Sequence, residues 1–257
     1  MSAAQQLTAW IRCPRPSEQA SLRLFCLPFG GGGAQTYREW PAALGPDIEV
    51  WHAQLPGREA RHREPPLTSL PPLVQPLAAA MLPYLDRPYA IFGHSMGALI
   101  AFELARLFRR LGAPAPAHLF VSARRAPHLP DWRPPLHTLP DADLVDHLNQ
   151  RYNGLPRAVL ESADLLRMFT PLIRADLTLT ELYDFVPEEA LPCPISVFGG
   201  LDDSAVTRDD LTAWGEHTAS SFTLRMTPGG HFFLQTVRPW LLAAIVADLR
   251  QAACVGG

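Results

Sequence analysis

The sequence contains no lysine: all 22 of its Lys+Arg positions are arginine. That absence excludes chemistry needing an ε-amino group, whether a phosphate loop closed by Gly-Lys, a kinase-type strand lysine, or a Schiff-base or pyridoxal enzyme. An excess of positive charge is also missing. The formal net charge is −3 and there is no basic block, so no face is expected to displace counterions from nucleic-acid phosphates. Cys13, Cys26, Cys193 and Cys254 form no C-x-x-C pair, and the nine histidines show neither H-x-H nor H-E-x-x-H spacing. Free thiols are therefore expected in place of a disulfide framework or metal site. No stretch approaches about 18 uninterrupted apolar residues, and the N-terminus has no apolar run of signal-peptide length. The expectation is a cytoplasmic protein with no membrane segment.

What is present fits a single α/β domain over residues 1–257, long enough to bury roughly 70–75% of its unfolded surface. Residues 1–20 show no periodicity and read as a loose lead-in. Short apolar runs then alternate with stretches of helical spacing. Strands are predicted at 22–27, 48–55, 89–92, 118–122, 194–199 and 222–226, with helices at 37–44, 73–85, 98–111 and 239–252. Such alternation implies a mainly parallel sheet with helices on both faces. Residues 127–187 break the pattern. They open with five prolines between positions 127 and 140 and continue with helical pairs such as Leu144/Leu148 and Leu165/Phe169. This interval reads as a helical lid inserted over the carboxyl edge of the sheet, where α/β sheets bind ligands; ordinary crossover helices are the alternative.

Gly93-His94-Ser95-Met96-Gly97 fits G-x-S-x-G, with a predicted strand before it and a helix after it. That context forces the serine into a strained turn with its hydroxyl exposed at the helix N-terminus. A serine hydroxyl needs a base, and the base needs an orienting acid, in chain order Ser, Asp, His. His231, in Gly229-Gly230-His231-Phe232-Phe233, follows the last predicted strand and is the candidate base. His94, in the elbow itself, is expected to point away along its strand. The acid should follow the strand ending at Gly199-Gly200, where Asp202 and Asp203 both stand; spacing does not choose between them, and one of them is a candidate cap for a helix starting near Thr207. The run Gly30–Gly33 lacks G-x-G-x-x-G spacing and any following lysine, and in a serine hydrolase its position supplies one oxyanion amide, with Met96 supplying the second.

Taken together in this order, the motifs resemble the type II thioesterases that accompany modular polyketide and nonribosomal peptide synthases. The resemblance spans nearly the whole chain. It rests on Leu27-Pro28-Phe29-Gly30-Gly31-Gly32, Gln54-Leu55-Pro56-Gly57-Arg58-Glu59 with Arg61, Arg174-Ala175-Asp176, Glu181-Leu182-Tyr183, Gly199-Gly200-x-Asp-Asp with Val206, Trp214, and the Gly229–Phe233 motif. The α/β-hydrolase fold is what this resemblance implies. It also places the triad on Ser95, Asp203 and His231, Asp203 because it stands three residues before Val206, and the oxyanion donors on the amides of Gly30 and Met96. Gly30 replaces a residue that is often alanine in the family, and Ser204 one that is often proline. The implied reaction removes acyl groups from the phosphopantetheine arm of an acyl- or peptidyl-carrier protein, without metal or organic cofactor. An esterase or acyltransferase on the same fold, and a catalytically silent binding relative, are the alternatives. Met168, Phe169, Leu172 and Leu179 are candidates to line the acyl pocket. In a chain without lysine, positive charge near the site falls to arginine. Arg124, Arg125, Arg58 and Arg61 follow predicted strands and are candidates to meet the pantetheine phosphate or an acidic carrier surface.

Overall fold

The structure is a computed structural model that describes residues 9–131, 133–153 and 160–255, with side chains to residue 251. Seven strands form one sheet: β1 (Ile11–Arg12), β2 (Leu22–Leu27), β3 (Ile48–Ala53), β4 (Tyr89–His94), β5 (His118–Ser122), β6 (Ile195–Gly200) and β7 (Phe222–Thr227). Their spatial order is β1-β3-β2-β4-β5-β6-β7. All neighbours are parallel except β1, which pairs antiparallel with β3. This is the α/β-hydrolase architecture.

The strands read as continuous apolar runs because both faces are covered. Alternate residues separate cleanly, as the two-residue period requires. Phe25, Leu27, Tyr89, Ile91, Leu119 and Val121 join one buried cluster, whereas Leu24, Cys26, Ala90, Phe92 and Phe120 join the other. The helices α2 (Pro71–Met81) and α3 (Met96–Arg110) cover the first face. The helices α1 (Trp40–Leu44) and α8 (Arg238–Val255) cover the second. Between β5 and β6 lie α4 (Asp141–Tyr152) and α5 (Ala163–Glu181), both within the interval 127–187. Two four- to five-residue helices, α6 (Arg208–Thr212) and α7 (Phe233–Thr236), flank β7. Cys13, Cys26 and Cys193 are free thiols, and the side chain of Cys254 lies outside the described residues.

Besides shifts of one to three residues at other strand and helix ends, three differences from the sequence expectation have a local cause. The lead-in contains β1, whose two residues are too short to show a period; Gln54 N donates to Trp10 O (2.8 Å) beside it. The helix expected over 37–44 is a 3-10 turn at Ala34–Tyr37 followed by α1, because Pro41 lacks an N–H and is tolerated only in a first helical turn. The helix expected to reach Leu85 ends at Met81 and continues as a 3-10 turn containing Pro83, which cannot make the i to i−4 bond. Among the described residues, no helix is long and apolar enough to cross a membrane.

Candidate active site

The turn from β4 into α3 carries Ser95 at φ 53°, ψ −114°, a conformation that L residues rarely adopt. Two glycines make the turn possible. A side chain on Gly93 would collide with the Gly97 carbonyl, and one on Gly97 with the Leu27 carbonyl of the neighbouring strand. The Ser95 amide donates to Ser122 O on β5 (2.7 Å), holding the turn against the sheet. The backbone strain is thus opposed by a strand on either side.

Chain order brings the other two groups in from loops after β6 and β7. The His231 Nδ1–H donates to Asp203 Oδ2 (2.8 Å), and Nε2 lies 2.9 Å from Ser95 Oγ. An ionised carboxylate only accepts, so it selects the tautomer with hydrogen on Nδ1 and leaves the Nε2 lone pair facing the serine hydroxyl. Asp203 uses its second oxygen to accept from the Ala205 amide (2.8 Å). The adjacent Asp202 does something different. Its amide donates to Gly229 O (3.0 Å) and its Oδ2 accepts from the Gly229 amide (3.1 Å), fastening the acid loop to the histidine loop. Gly229 has φ 112°, which favours glycine. The cap expected of one of these aspartates falls to Thr207, which forms a capping box with Asp210. Ser204, the departure from proline, donates its hydroxyl to Arg151 O (3.0 Å).

His94 does not point away from the site. Its ring lies 5.5 Å from that of His231, fully buried, with Nδ1 sharing a hydrogen bond with Ser122 Oγ (2.8 Å). Burial, reinforced by the proximity of His231, holds its pKa well below the ordinary histidine value. It therefore stays neutral against the His231 ring.

A cavity of about 340 Å³ opens over Ser95. Gly30, Gly31, Gly32, Met96 and His231 face it from the sheet edge. Met96 is the first residue of α3, where the amide has no intrahelical acceptor. Among the described residues, no protein acceptor takes the Gly30 amide either. A Cβ at Gly30 would meet only Asp176, its Cβ at 3.5 Å and its Oδ2 at 3.9 Å, both ordinary contacts, so the family's alanine would fit here too.

The glycine loop is held from the opposite side by a buried ion pair. Arg58 donates to both oxygens of Asp176 (2.8 Å each) and to Gly32 O (3.1 Å), while Asp176 Oδ2 accepts the Gly31 amide (2.7 Å). Glu59 adds bonds from the amides of Ala34 (3.0 Å) and Gln35 (2.9 Å). Arg58 is thus committed to the protein's own carboxylate and is not available to a phosphate. Arg61 is likewise occupied, bonding Gln54 O and Glu64 and lying over the Trp10 ring. Asp176 went unassigned in the sequence, although an acid within the apolar stripe of an amphipathic helix signals a buried pair.

The cavity wall on α5 is Phe169, Ile173, Asp176, Leu177 and Thr180, spaced as one helix face. Phe169 is where the sequence expected it. Met168 is 62% exposed, and Leu172 and Leu179 are buried outside the lining. Helix phase explains the error, since positions 168, 172 and 179 lie about 100° from the lining stripe. Tyr152, at the end of α4, was not singled out; its ring lies 4.7 Å from that of His231. The two strand-end arginines also separate. Arg125 pairs with Asp131 (3.0 Å) and Asp210 (3.4 Å) away from the cavity, whereas Arg124 lines it. Among the described residues, no group of three or more His, Cys, Asp or Glu is placed to hold a metal ion.

A mainly parallel sheet, a strained serine at a strand-to-helix turn, and a histidine linking it to an aspartate together define the class of serine hydrolases. The family model described as a thioesterase domain matches residues 22–249, and the chain belongs to that family. The gramicidin S biosynthesis protein GrsT of Aneurinibacillus migulanus is 40% identical over 97% of both chains. A protein named linear gramicidin dehydrogenase LgrE, from Brevibacillus parabrevis, is 42% identical over 94% of this chain and 92% of its own. The solved RedJ thioesterase from the prodiginine pathway of Streptomyces coelicolor superimposes with a TM-score of 0.85 at 40% identity, covering 92% of this chain and 94% of that one. The solved type II thioesterase BorB, from the borrelidin biosynthetic cluster, is 40% identical with a TM-score of 0.85, covering 94% of this chain and 98% of that one, and within the family this chain is a type II thioesterase, an enzyme that hydrolyses thioesters.

Proposed function

We propose that the protein hydrolyses acyl groups from the phosphopantetheine arm of an acyl- or peptidyl-carrier protein, clearing chains that have stalled on a modular synthase. The observation that carries this reading is the continuous chain Ser95 Oγ, His231 Nε2, His231 Nδ1, Asp203 Oδ2, with links of 2.9 and 2.8 Å. Ser95 attacks the thioester carbonyl as Nε2 takes its proton, and Asp203 stabilises the imidazolium. The amides of Gly30 and Met96 receive the oxyanion. The carbon–sulfur bond breaks, and the imidazolium proton neutralises the departing pantetheine thiolate. Water then attacks the acyl-serine, giving up its proton to His231; the bond from the acyl carbon to Ser95 Oγ breaks, His231 returns that proton to Oγ, and the carboxylic acid leaves. Helices α4 and α5 act as a lid that keeps the acyl group over Ser95. RedJ and GrsT, named for biosynthetic pathways, support the assignment to carrier-bound substrates.

The test is hydrolysis of acyl-carrier thioesters beside matched oxygen esters, with wild type and Ser95→Ala. Wild type should prefer the thioester, and Ser95→Ala should fold and lose up to ~10⁶ in turnover. Equal turnover by the variant, or failure of a fluorophosphonate probe to label Ser95, would overturn the reading.

A further inference from the structure

Arg124 is a charged cavity residue whose chemistry the hydrolysis does not use. It follows β5, the strand that holds the Ser95 turn, and its side chain lines the same cavity as Ser95. Among the described residues it makes no ion pair. Its Nε is buried without a partner, and its one side-chain hydrogen bond is a long one, from Nη2 to Thr180 O (3.5 Å). Tyr152 and, after it, Asp131 act on its charge, and Asp131 is taken by Arg125. Asp176, one helical turn from Thr180, is taken by Arg58. Burial lowers the Arg124 pKa from its ordinary value, yet an arginine remains protonated. The cavity therefore holds a half-buried cation, its Nε buried without a partner, among apolar walls of Leu148, Phe169 and Leu177. A charge left so is costly unless a ligand completes it.

We infer that Arg124 is a specificity residue for acyl groups carrying an anionic oxygen, a carboxylate above all, a few bonds from the thioester carbonyl. This rests on the proposed carrier-thioester reading and narrows its substrate class. The same guanidinium chemistry would suit the pantetheine phosphate, but location favours the acyl group. Thr180, which Arg124 touches, stands one turn, about 6 Å, along α5 from Asp176. Asp176 in turn bonds the glycine loop over Ser95. A phosphate at the far end of the pantetheine arm belongs a full arm's length from that point.

The experiment compares succinyl thioesters with their monomethyl esters, which have nearly the same shape but no charge, on N-acetylcysteamine and on a phosphopantetheinylated carrier protein. Wild type should favour the charged acyl group in kcat/KM by about tenfold or more on both leaving groups, the range for one charge-assisted hydrogen bond. In Arg124→Met that ratio should collapse towards one, and Arg124→Lys should keep part of it. Because each ratio is taken within one preparation, partial unfolding cancels. A wild type indifferent to the charge, or a preference that survives in Arg124→Met, overturns the inference while leaving the hydrolase reading intact. A loss confined to carrier-bound substrates, equal for both acyl groups, assigns Arg124 to the phosphate and also overturns it. No turnover of any thioester would instead remove the underlying reading.

Discussion

The two walls of the cavity are built by different means. The sheet-edge wall, with Ser95, His231 and Asp203, is set by short local devices: glycines at 93 and 97 that leave room for a strained turn, and a backbone-tied pair of loops at Asp202 and Gly229. The opposite wall, on α5, is joined to the glycine loop by one buried ion pair between residues 118 positions apart, Arg58 and Asp176. Local steric devices tolerate little change and hold their geometry alone. A long-range pair holds only while both partners are charged and docked. The chemistry is thus expected to fail sharply when the first wall is altered and in a graded, repairable way when the second is.

The largest effect falls on the first wall. Asp203→Asn presents an amide to Nδ1 and allows the wrong histidine tautomer, so kcat should fall by about 10⁴ with the fold intact, measured by thioester hydrolysis alongside thermal unfolding. Asp202→Asn keeps an acceptor for the Gly229 amide and should change kcat only a few-fold. Equal losses in the two variants would show that loop anchoring, and not the orienting carboxylate, is what the site requires at these positions.

Next comes the pair. Asp176→Asn leaves Arg58 buried without its counter-ion, which typically costs roughly 3–5 kcal/mol. It also loosens the Gly31 anchor, so kcat should fall by about 10²-fold, the scale for misplacing an oxyanion donor, with KM little changed. The double variant Arg58→Met/Asp176→Leu removes both charges. It should recover most of the stability, read from urea midpoints, without recovering kcat. Recovery of both would reduce the pair to packing alone.

This contrast also governs what could be read from the sequence. The elbow, the six strands from β2 to β7 and the loop bearing His231 were readable because each is a local pattern: a motif flanked by a strand and a helix, or an apolar run ended by a turn. The residue pattern left Asp202 and Asp203 equivalent, because the choice depends on which carboxylate turns toward an imidazole 28 positions away. Arg58 read as a free cation, because its partner lies on an element whose packing no local pattern specifies. The phase of α5 was displaced for a related reason. Phe169 and Leu172 both obey helical spacing, but only the docking of that helix decides which of two apolar stripes faces the cavity. Arg124 and Arg125, identical in sequence context, part company because acids from other elements reach one and not the other.

A smaller effect separates the walls by pH. Burial lowers His52, His118 and His217 to about 4, and His94 well below its ordinary value; all four belong to the sheet or its covering layer. Each folded-state pKa lies below the unfolded one, so the unfolded chain binds more protons below about pH 6.5. Stability should be flat above that pH and decline progressively as pH falls toward 4. Urea midpoints at pH 7.5, 6 and 5 measure it. A midpoint unchanged at pH 5 would mean that these rings accept protons in the folded state.

The smallest expected effect tests the phase of α5 directly. Met168, 62% exposed, and Phe169, on the cavity wall, are adjacent in sequence and about 100° apart on the helix. Met168→Ala removes little buried surface and should shift stability by no more than about 0.5 kcal/mol, with kcat/KM unchanged across acyl lengths. Phe169→Ala should lower kcat/KM by about tenfold for acyl groups long enough to reach it and less for acetyl, because the lost contact is apolar area that a short chain never covers. If Met168→Ala shows the length-dependent loss instead, α5 docks one residue out of register with the Phe169, Ile173 and Leu177 wall. Asp176 would then turn away from Gly31, and the ion pair would lose its hold on the glycine loop.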